Sequence, residues 1–242
     1  MRHVEPFVGG GAMFFARRPE RALLADANPL LVGTYEAVRD RVGDVIAELR
    51  KLARQHGPDA YYRVRDRFNR SRARGPERAA MFIYLNKTCF NGLYRVNRSG
   101  AFNVPAGRYA KPRIVDPGTL LAASHVLRSA DLRCAGFETL LRTAKPGDFV
   151  YLDPPYEPAS PTASFTSYAR DGFTRDDQTR LRDVFTALDR RGCALMLSNS
   201  DVPFTRELYR GFHIDHVVAP RAINRDSAKR GLVSEIVVRN YA

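Results

Sequence analysis

Asp153-Pro154-Pro155-Tyr156 follows directly on the apolar run 149–152 and brings a carboxylate, rigid carbonyl oxygens and an aromatic face together within four positions. Each proline holds φ at about −65° and drives the residue before it into extended backbone, so the segment leaves its strand in a stiff, set direction. Such a set suits an amino group on a planar ring. The N6 nitrogen of adenine, for example, delocalises its lone pair into the ring and is a poor nucleophile. If the Asp153 carboxylate and the Pro154 carbonyl each accept one N–H, the nitrogen is drawn toward tetrahedral geometry and its lone pair can face an electrophilic methyl, while Tyr156 stacks on the ring. Chemistry of this kind is positioning and electrostatic preorganisation, with no covalent intermediate and no metal. A plain strand-ending Pro-Pro turn is the competing reading, but it does not call for an Asp before the prolines or a Tyr after them.

A second cluster lies near Met1. Glu5-Pro6-Phe7-Val8-Gly9-Gly10-Gly11 puts three glycines after a short apolar stretch, where bare backbone lets a ligand come close and a helix start offers unpaired N–H groups. Asp26 ends the next apolar run, and an acid there can accept both ribose hydroxyls of an adenosine. Alternatively, Asp26 is an acid at the start of the helix opened by Asn28-Pro29. A third feature is charge: residues 61–113 hold eleven Arg and two Lys against Asp66 and Glu77, a net +11 out of the chain's +13, interleaved with Tyr, Phe and Asn. That concentration is an electrostatic footprint for nucleic acid, though it would equally serve RNA or an acidic partner. Arg63, Arg65, Arg67, Arg70, Arg72 and Arg74 read as phosphate binders, which fix position without reading bases.

The tetrapeptide resembles the fourth motif of S-adenosylmethionine-dependent DNA adenine-N6 methyltransferases, and two further segments narrow the resemblance to the Dam-like group. Glu5 to Gly11 resembles that group's cofactor motif. Tyr84-Leu85-Asn86-Lys87-Thr88-Cys89-Phe90-Asn91-Gly92-Leu93-Tyr94-Arg95-Val96-Asn97, with Phe102-Asn103-Val104-Pro105, resembles its DNA-reading hairpin. Weaker echoes at Ser164-Phe165-Thr166-x-Tyr168 and Ser198-Asn199 extend the resemblance over nearly the whole chain, from about Val4 to about Val238.

The resemblance implies S-adenosylmethionine as methyl donor, double-stranded DNA as partner, GATC as target, and no metal. Catalysis would rest on Asp153, Pro154 and Tyr156. Cofactor binding would fall to Glu5, toward the methionine end, to Phe7, Gly9, Gly11, Asp26 and Asp153, and to Phe137 beside the adenine, although Phe137 could equally be core. In the DNA, Arg95 would fork onto guanine O6 and N7, a contact worth about 1–3 kcal/mol of discrimination. Leu93 and Pro105 would meet a thymine methyl, Phe90 would wedge into the stack as the target base flips out, Asn91 would hold the orphaned thymine, and Tyr109 would lie at the hairpin's exit. Dam-like enzymes usually carry a Lys/Trp/Gly-Gly-Lys segment some tens of residues before the glycine motif that closes the cofactor pocket. This sequence begins almost at the motif, so weakened cofactor binding is the corresponding expectation. Two alternatives stay open: an RNA adenine methyltransferase, and a DNA-binding remnant without activity.

Strand signals at 3–7, 22–26, 131–135, 148–152, 193–197, 212–218 and 234–239 alternate with helical signals at 12–18, after Asn28-Pro29, and at 118–128, 137–144, from Thr174, and 203–210. Thr174-x-x-Asp177 is a start of capping-box type. The alternation predicts an α/β fold, a Rossmann-like methyltransferase sheet that is mostly parallel with an antiparallel edge where the last two strands lack a helix between them. Residues 47–87 read as helical, broken at Gly57-Pro58 and Gly75-Pro76, and 95–104 as a hairpin turning at Ser99-Gly100. They interrupt the alternation, so 54–113 is expected to be an inserted target-recognition domain and 1–53 with 114–242 the catalytic domain.

The polar stretch 222–231 reads as a mobile loop. His213 and His216 lie three apart on a strand, so they face opposite sides and make no metal site. Cys89, Cys134 and Cys193, odd in number and set in apolar runs, predict reduced core thiols. With no signal-peptide core and no apolar run near the roughly 20 residues of a membrane span, the expectation is a cytoplasmic protein, with no obligate protein partner.

Overall fold

A computed structural model of the protein describes residues 1–158, 173–220 and 232–242. The Ser164–Tyr168 echo and the stretch 222–231 lie outside the described residues. In chain order the elements are β1 (His3–Glu5), α1 (Ala12–Arg17), β2 (Ala22–Asp26), α2 (Pro29–Arg54), α3 (Pro58–Arg70), α4 (Pro76–Thr88), α5 (Pro117–Leu127), β3 (Ala130–Cys134), α6 (Leu140–Thr143), β4 (Phe149–Leu152), α7 (Arg175–Arg190), β5 (Ala194–Ser200), α8 (Pro203–Leu208), β6 (His213–Pro220) and β7 (Leu232–Arg239). Single 3-10 turns stand at Phe90–Gly92 and Phe137–Thr139. Contacts divide the chain into two compact units, Met1–Ala27 with Ala135–Ala242, and Asn28–Cys134.

In the first unit six strands run in the order β2-β1-β4-β5-β7-β6. The first four are parallel to one another, and β7 is antiparallel to both β5 and β6. This is the mostly parallel α/β sheet with an antiparallel edge that the alternation predicts. Val4, Val150, Leu152, Leu195, Leu197, Ile236 and Val238 are buried along the sheet, joined by Leu181, Phe185 and Leu188 from one face of α7. Each such side chain contributes about 1.5–3 kcal/mol on burial. The α7 capping box forms as read, with the Thr174 side chain accepting from Asp177 N and the Asp177 carboxylate accepting from Thr174 N at 2.7 Å. β1 stops at Glu5, short of the expected residue 7, because Pro6 has no N–H to give to the ladder. The helix expected at 137–144 is a 3-10 turn followed by four helical residues. Pro146 lies just beyond, and the residue before a proline avoids helical backbone.

In the second unit Asn28 caps α2, its Oδ1 accepting from Leu30 N at 3.0 Å, and Pro29 occupies the first turn as expected. The helix bends at Arg41, whose φ of −139° is not helical. α4 is buried on most sides through Ala79, Ala80, Met81, Tyr84 and Leu85. Cys89 and Cys193 are buried thiols as expected, but Cys134 is exposed. The core reading of Cys134 fails because only Ala130 of β3 is buried, so apolar neighbours in sequence do not enclose it. Among the described residues no helix is long and apolar enough to cross a membrane.

Candidate functional site

β4 delivers Asp153-Pro154-Pro155-Tyr156 beyond its carboxyl end, with Pro154 buried and the Asp153 and Tyr156 side chains exposed. A buried polar network grips the loop on both sides of Tyr156. Gln178 of α7 donates Nε2–H to the Pro155 carbonyl at 2.9 Å, and Asn199 of β5 donates Nδ2–H to Gln178 Oε1 at 3.0 Å. Asn199 Oδ1 accepts from Glu157 N at 3.0 Å. Gln178 and Asn199 have no exposed surface, so these bonds are shielded from water. Glu157, also buried, accepts from Arg175 Nε at 2.7 Å.

Around the loop stand Glu5, Glu235 and the phenols of Tyr151 and Tyr156. The Tyr156 hydroxyl donates to Glu235 Oε2 at 3.4 Å, and the Tyr151 hydroxyl lies 3.0 Å from Ser198 Oγ. The Asp153 carboxyl is pushed up to about 6, chiefly because protein packed around it strips away hydration; the Tyr156 hydrogen bond opposes the rise, and the negative charges of Glu235 and Glu5 add to it. Water still reaches one side of the carboxyl, and its screening holds the penalty below that of full burial. Desolvation and the neighbouring carboxylates likewise raise the Tyr156 phenol, which stays neutral.

Beyond the carboxyl end of β1, which is parallel to β4, Gly9 and Gly11 have φ of +45° and +67°, where a side chain would be strained. Gly9 N–H donates to Asp26 Oδ2 at 3.2 Å and Val8 N to Ala25 O at 3.0 Å, tying the glycine turn to the end of β2. Asn28, not Asp26, takes the capping position of the following helix. Phe7 stacks on Phe137 with centroids 5.5 Å apart, and both rings meet Phe173 at 5.9 Å. Phe137 is buried in the core. Glu5 is buried at the end of β1, its Oε1 lying 2.5 Å from His3 Nε2. The structure thus collects Glu5, Phe7, Gly9, Gly11, Asp26, Phe137, Asp153, Pro154 and Tyr156 in one unit, around the carboxyl ends of β1, β2 and β4, where open α/β sheets take ligands. Among the described residues no three His, Cys, Asp or Glu gather to hold a metal.

The second unit carries the hairpin. Asn97 N donates to Ala101 O at 2.9 Å, Gly100 N to Asn97 O at 2.8 Å, and Val96 bridges Phe102. A second bridge joins Cys89 to Ala106, with Phe90 N donating to Pro105 O at 2.9 Å, so Phe90, Asn91 and Pro105 meet at one end. Phe90, Asn91, Arg95, Pro105 and Tyr109 are exposed and Leu93 is half-buried. Arg95 donates from Nε to Asn103 Oδ1 at 2.8 Å and from Nη2 to Asn103 O at 3.3 Å, which fixes the guanidinium plane and leaves its outer edge open. The Tyr109 ring packs against Gly107, where a Cβ would come within 2.3 Å of it.

Tyr61, Arg65 and Asn69 stand on one face of α3 and hold the returning strand. The Tyr61 hydroxyl donates to Val104 O at 2.8 Å, Arg65 Nη1 to the same oxygen at 3.3 Å, and Asn69 brackets Phe102 with bonds of 3.0 and 2.9 Å. On the opposite face Arg63, Asp66, Arg67, Arg70 and Ser71 line an open groove of about 510 Å³. Arg65, expected to be a phosphate binder, therefore has an internal partner, and Arg67 pairs with Glu77.

Comparison with known proteins decides the family. The family model for D12 class N6 adenine-specific DNA methyltransferases matches residues 1–223. The chain belongs to this family. It is similar to the type II methyltransferase M1.LlaDCHI of Lactococcus lactis subsp. cremoris, at 42% identity over 98% of this chain and 85% of that one. It is also similar to the type II methyltransferase M.MjaIII of Methanocaldococcus jannaschii, at 43% identity over 99% of this chain and 88% of that one. The DNA adenine methylase of Escherichia coli strain K12 is 35% identical over 97% of this chain and 84% of that protein. As a member of the D12 class the chain is an N6 adenine-specific DNA methyltransferase.

Three groups escape a reading of the sequence: Gln178 and Glu235 at the D12-class tetrapeptide, and Phe173 against Phe7 and Phe137. Gln178 had a signal. It shares the buried stripe of α7 with Leu181, Phe185 and Leu188, and a Gln in such a stripe needs a partner inside the protein. Glu235 and Phe173 carry no comparable mark.

Proposed function

We propose that this methyltransferase moves a methyl group from S-adenosylmethionine to adenine N6 in duplex DNA, within GATC. The observation that carries the reading is Asp153-Pro154-Pro155-Tyr156, locked through Pro155 and Glu157 at the carboxyl end of β4. When bound, S-adenosylmethionine supplies the methyl as a sulfonium substituent. The residues around the site suit that donor: Asp26 offers a carboxylate for ribose hydroxyls, Glu5 one for an ammonium group, Phe7 and Phe137 an apolar wall, and Gly9 and Gly11 backbone that a side chain would obstruct. Asp153 and the Pro154 carbonyl accept the two N–H groups of the flipped adenine and hold its lone pair away from conjugation. Tyr156 supports the base by stacking, with its hydroxyl restrained by Glu235.

Residues 54–113 are assigned to target recognition within an otherwise catalytic chain. Phe90 wedges into the vacated stack, Asn91 holds the orphaned thymine, and Leu93 and Pro105 face thymine methyls. Arg95 presents the edge left open by Asn103 to a guanine, and Tyr109 lines the exit. The test is methylation of a duplex GATC oligonucleotide, its single-base variants and a matched RNA. Preference for duplex GATC is expected. Preference for RNA, equal methylation of all adenine-containing duplexes, or duplex binding with no transfer each overturns the reading.

A further inference from the structure

His3 and Glu5 are two residues apart on β1, so their side chains share one face of the sheet. The imidazole Nε2 lies 2.5 Å from Glu5 Oε1, with the two side chains only 1% and 3% exposed. The imidazole stacks on Phe149 with centroids 5.5 Å apart, and its Nδ1 is buried without a partner. Among the described residues His3 is the one hydrogen-bond partner of the Glu5 carboxylate. A buried carboxylate with a single donor is under-compensated, and an apolar pair of the same shape would serve the fold better. A cationic ligand would complete the pair.

We propose that His3 is a positioning residue that holds the Glu5 carboxylate for the ammonium group at the amino-acid end of the methyl donor. This inference rests on the S-adenosylmethionine reading above. A carboxylate only accepts, so His3 Nε2 is the donor of this bond. The contact engages one carboxylate oxygen, and the second is left for the ligand's N–H groups.

The test measures binding, independent of turnover. The parent chain, His3→Leu, His3→Gln and Glu5→Gln are titrated calorimetrically with S-adenosylhomocysteine, which has the amino-acid end, and with 5′-methylthioadenosine, which lacks it. His3→Leu should weaken the first ligand about tenfold, the size of one charge-assisted hydrogen bond, and leave the second within about twofold. His3→Gln, whose amide N–H can reach the same carboxylate, should recover most of the loss. Glu5→Gln should show the same selective loss, which keeps the comparison decisive if the leucine variant does not fold. Equal loss on both ligands, or no loss on either, overturns the positioning role. A parent chain that binds neither ligand instead overturns the donor assignment, and the inference falls with it.

Discussion

Replacing Asn199 with Ala removes a fully buried amide that closes three hydrogen bonds: to Gln178 Oε1 at 3.0 Å, from Glu157 N at 3.0 Å and from Ser200 N at 2.9 Å. Ser200 lies at the end of β5, half-buried, and can turn to water. The Glu157 N–H and the Gln178 amide cannot, and each polar group stranded inside costs about 1–3 kcal/mol. The expected loss of unfolding free energy is about 2–4 kcal/mol, survivable against a typical 5–15. The chemical effect should be larger in proportion, because the loop loses the lock after Tyr156 and the support of the lock before it. Loss of near-attack geometry should slow single-turnover methyl transfer about 10–100-fold. Duplex affinity, assigned to the basic block, should stay within about twofold. Urea unfolding followed by circular dichroism, single-turnover transfer with saturating donor, and duplex binding would separate these effects. The argument fails if Asn199→Ala transfers methyl at the parental rate once its folded fraction is accounted for.

Asp153→Ala should abolish methyl transfer while leaving duplex affinity nearly intact; single-turnover transfer near the parental rate would refute the role. Only the ionised carboxyl accepts two-lone-pair contacts freely, and burial raises this one to about 6, so the parental rate should fall as pH drops through that value and level off above it. A profile flat across pH 5 to 8, roughly one unit below and two above, would contradict this assignment. Neutralising Arg63 or Arg70, which line the α3 groove, should lower the slope of log affinity against log salt by about one, equally on specific and random duplexes. Loss confined to one sequence would make that arginine a base reader. Arg95→Ala should cost about 1–3 kcal/mol of discrimination at one guanine of the target, measured on single-base variants, and uniform loss at every position would remove its base-reading role.

What could be read from the sequence was local. Asn28-Pro29 and Thr174-x-x-Asp177 mark helix starts through side chains acting within three residues of themselves, and both caps form as read. The tetrapeptide, too, carries its chemical types side by side. Its supports do not: Gln178 lies 23 residues from Pro155, Asn199 lies 42 from Glu157, and Glu235 lies 79 from Tyr156. Nothing in a window of neighbouring residues reports such partners, because the sheet order that joins them skips along the chain. Cys134 shows the opposite failure, where apolar neighbours suggested burial that the strand does not provide.

The hairpin that bears Arg95 has little structure of its own, with Val96 and Phe102 forming an isolated bridge. A ribbon that short does not hold its shape in water. Its stiffness is borrowed from α3, through Tyr61, Arg65 and Asn69, while the reverse side of that helix bears Arg63 and Arg70. Under the proposed roles, fidelity and grip share one beam. Damage to the beam should blur every letter of the target at once, unlike damage to a fingertip, which erases one. A collection of relaxed-specificity variants should accordingly include Tyr61 and Asn69, residues that carry no charge and have no base contact assigned to them.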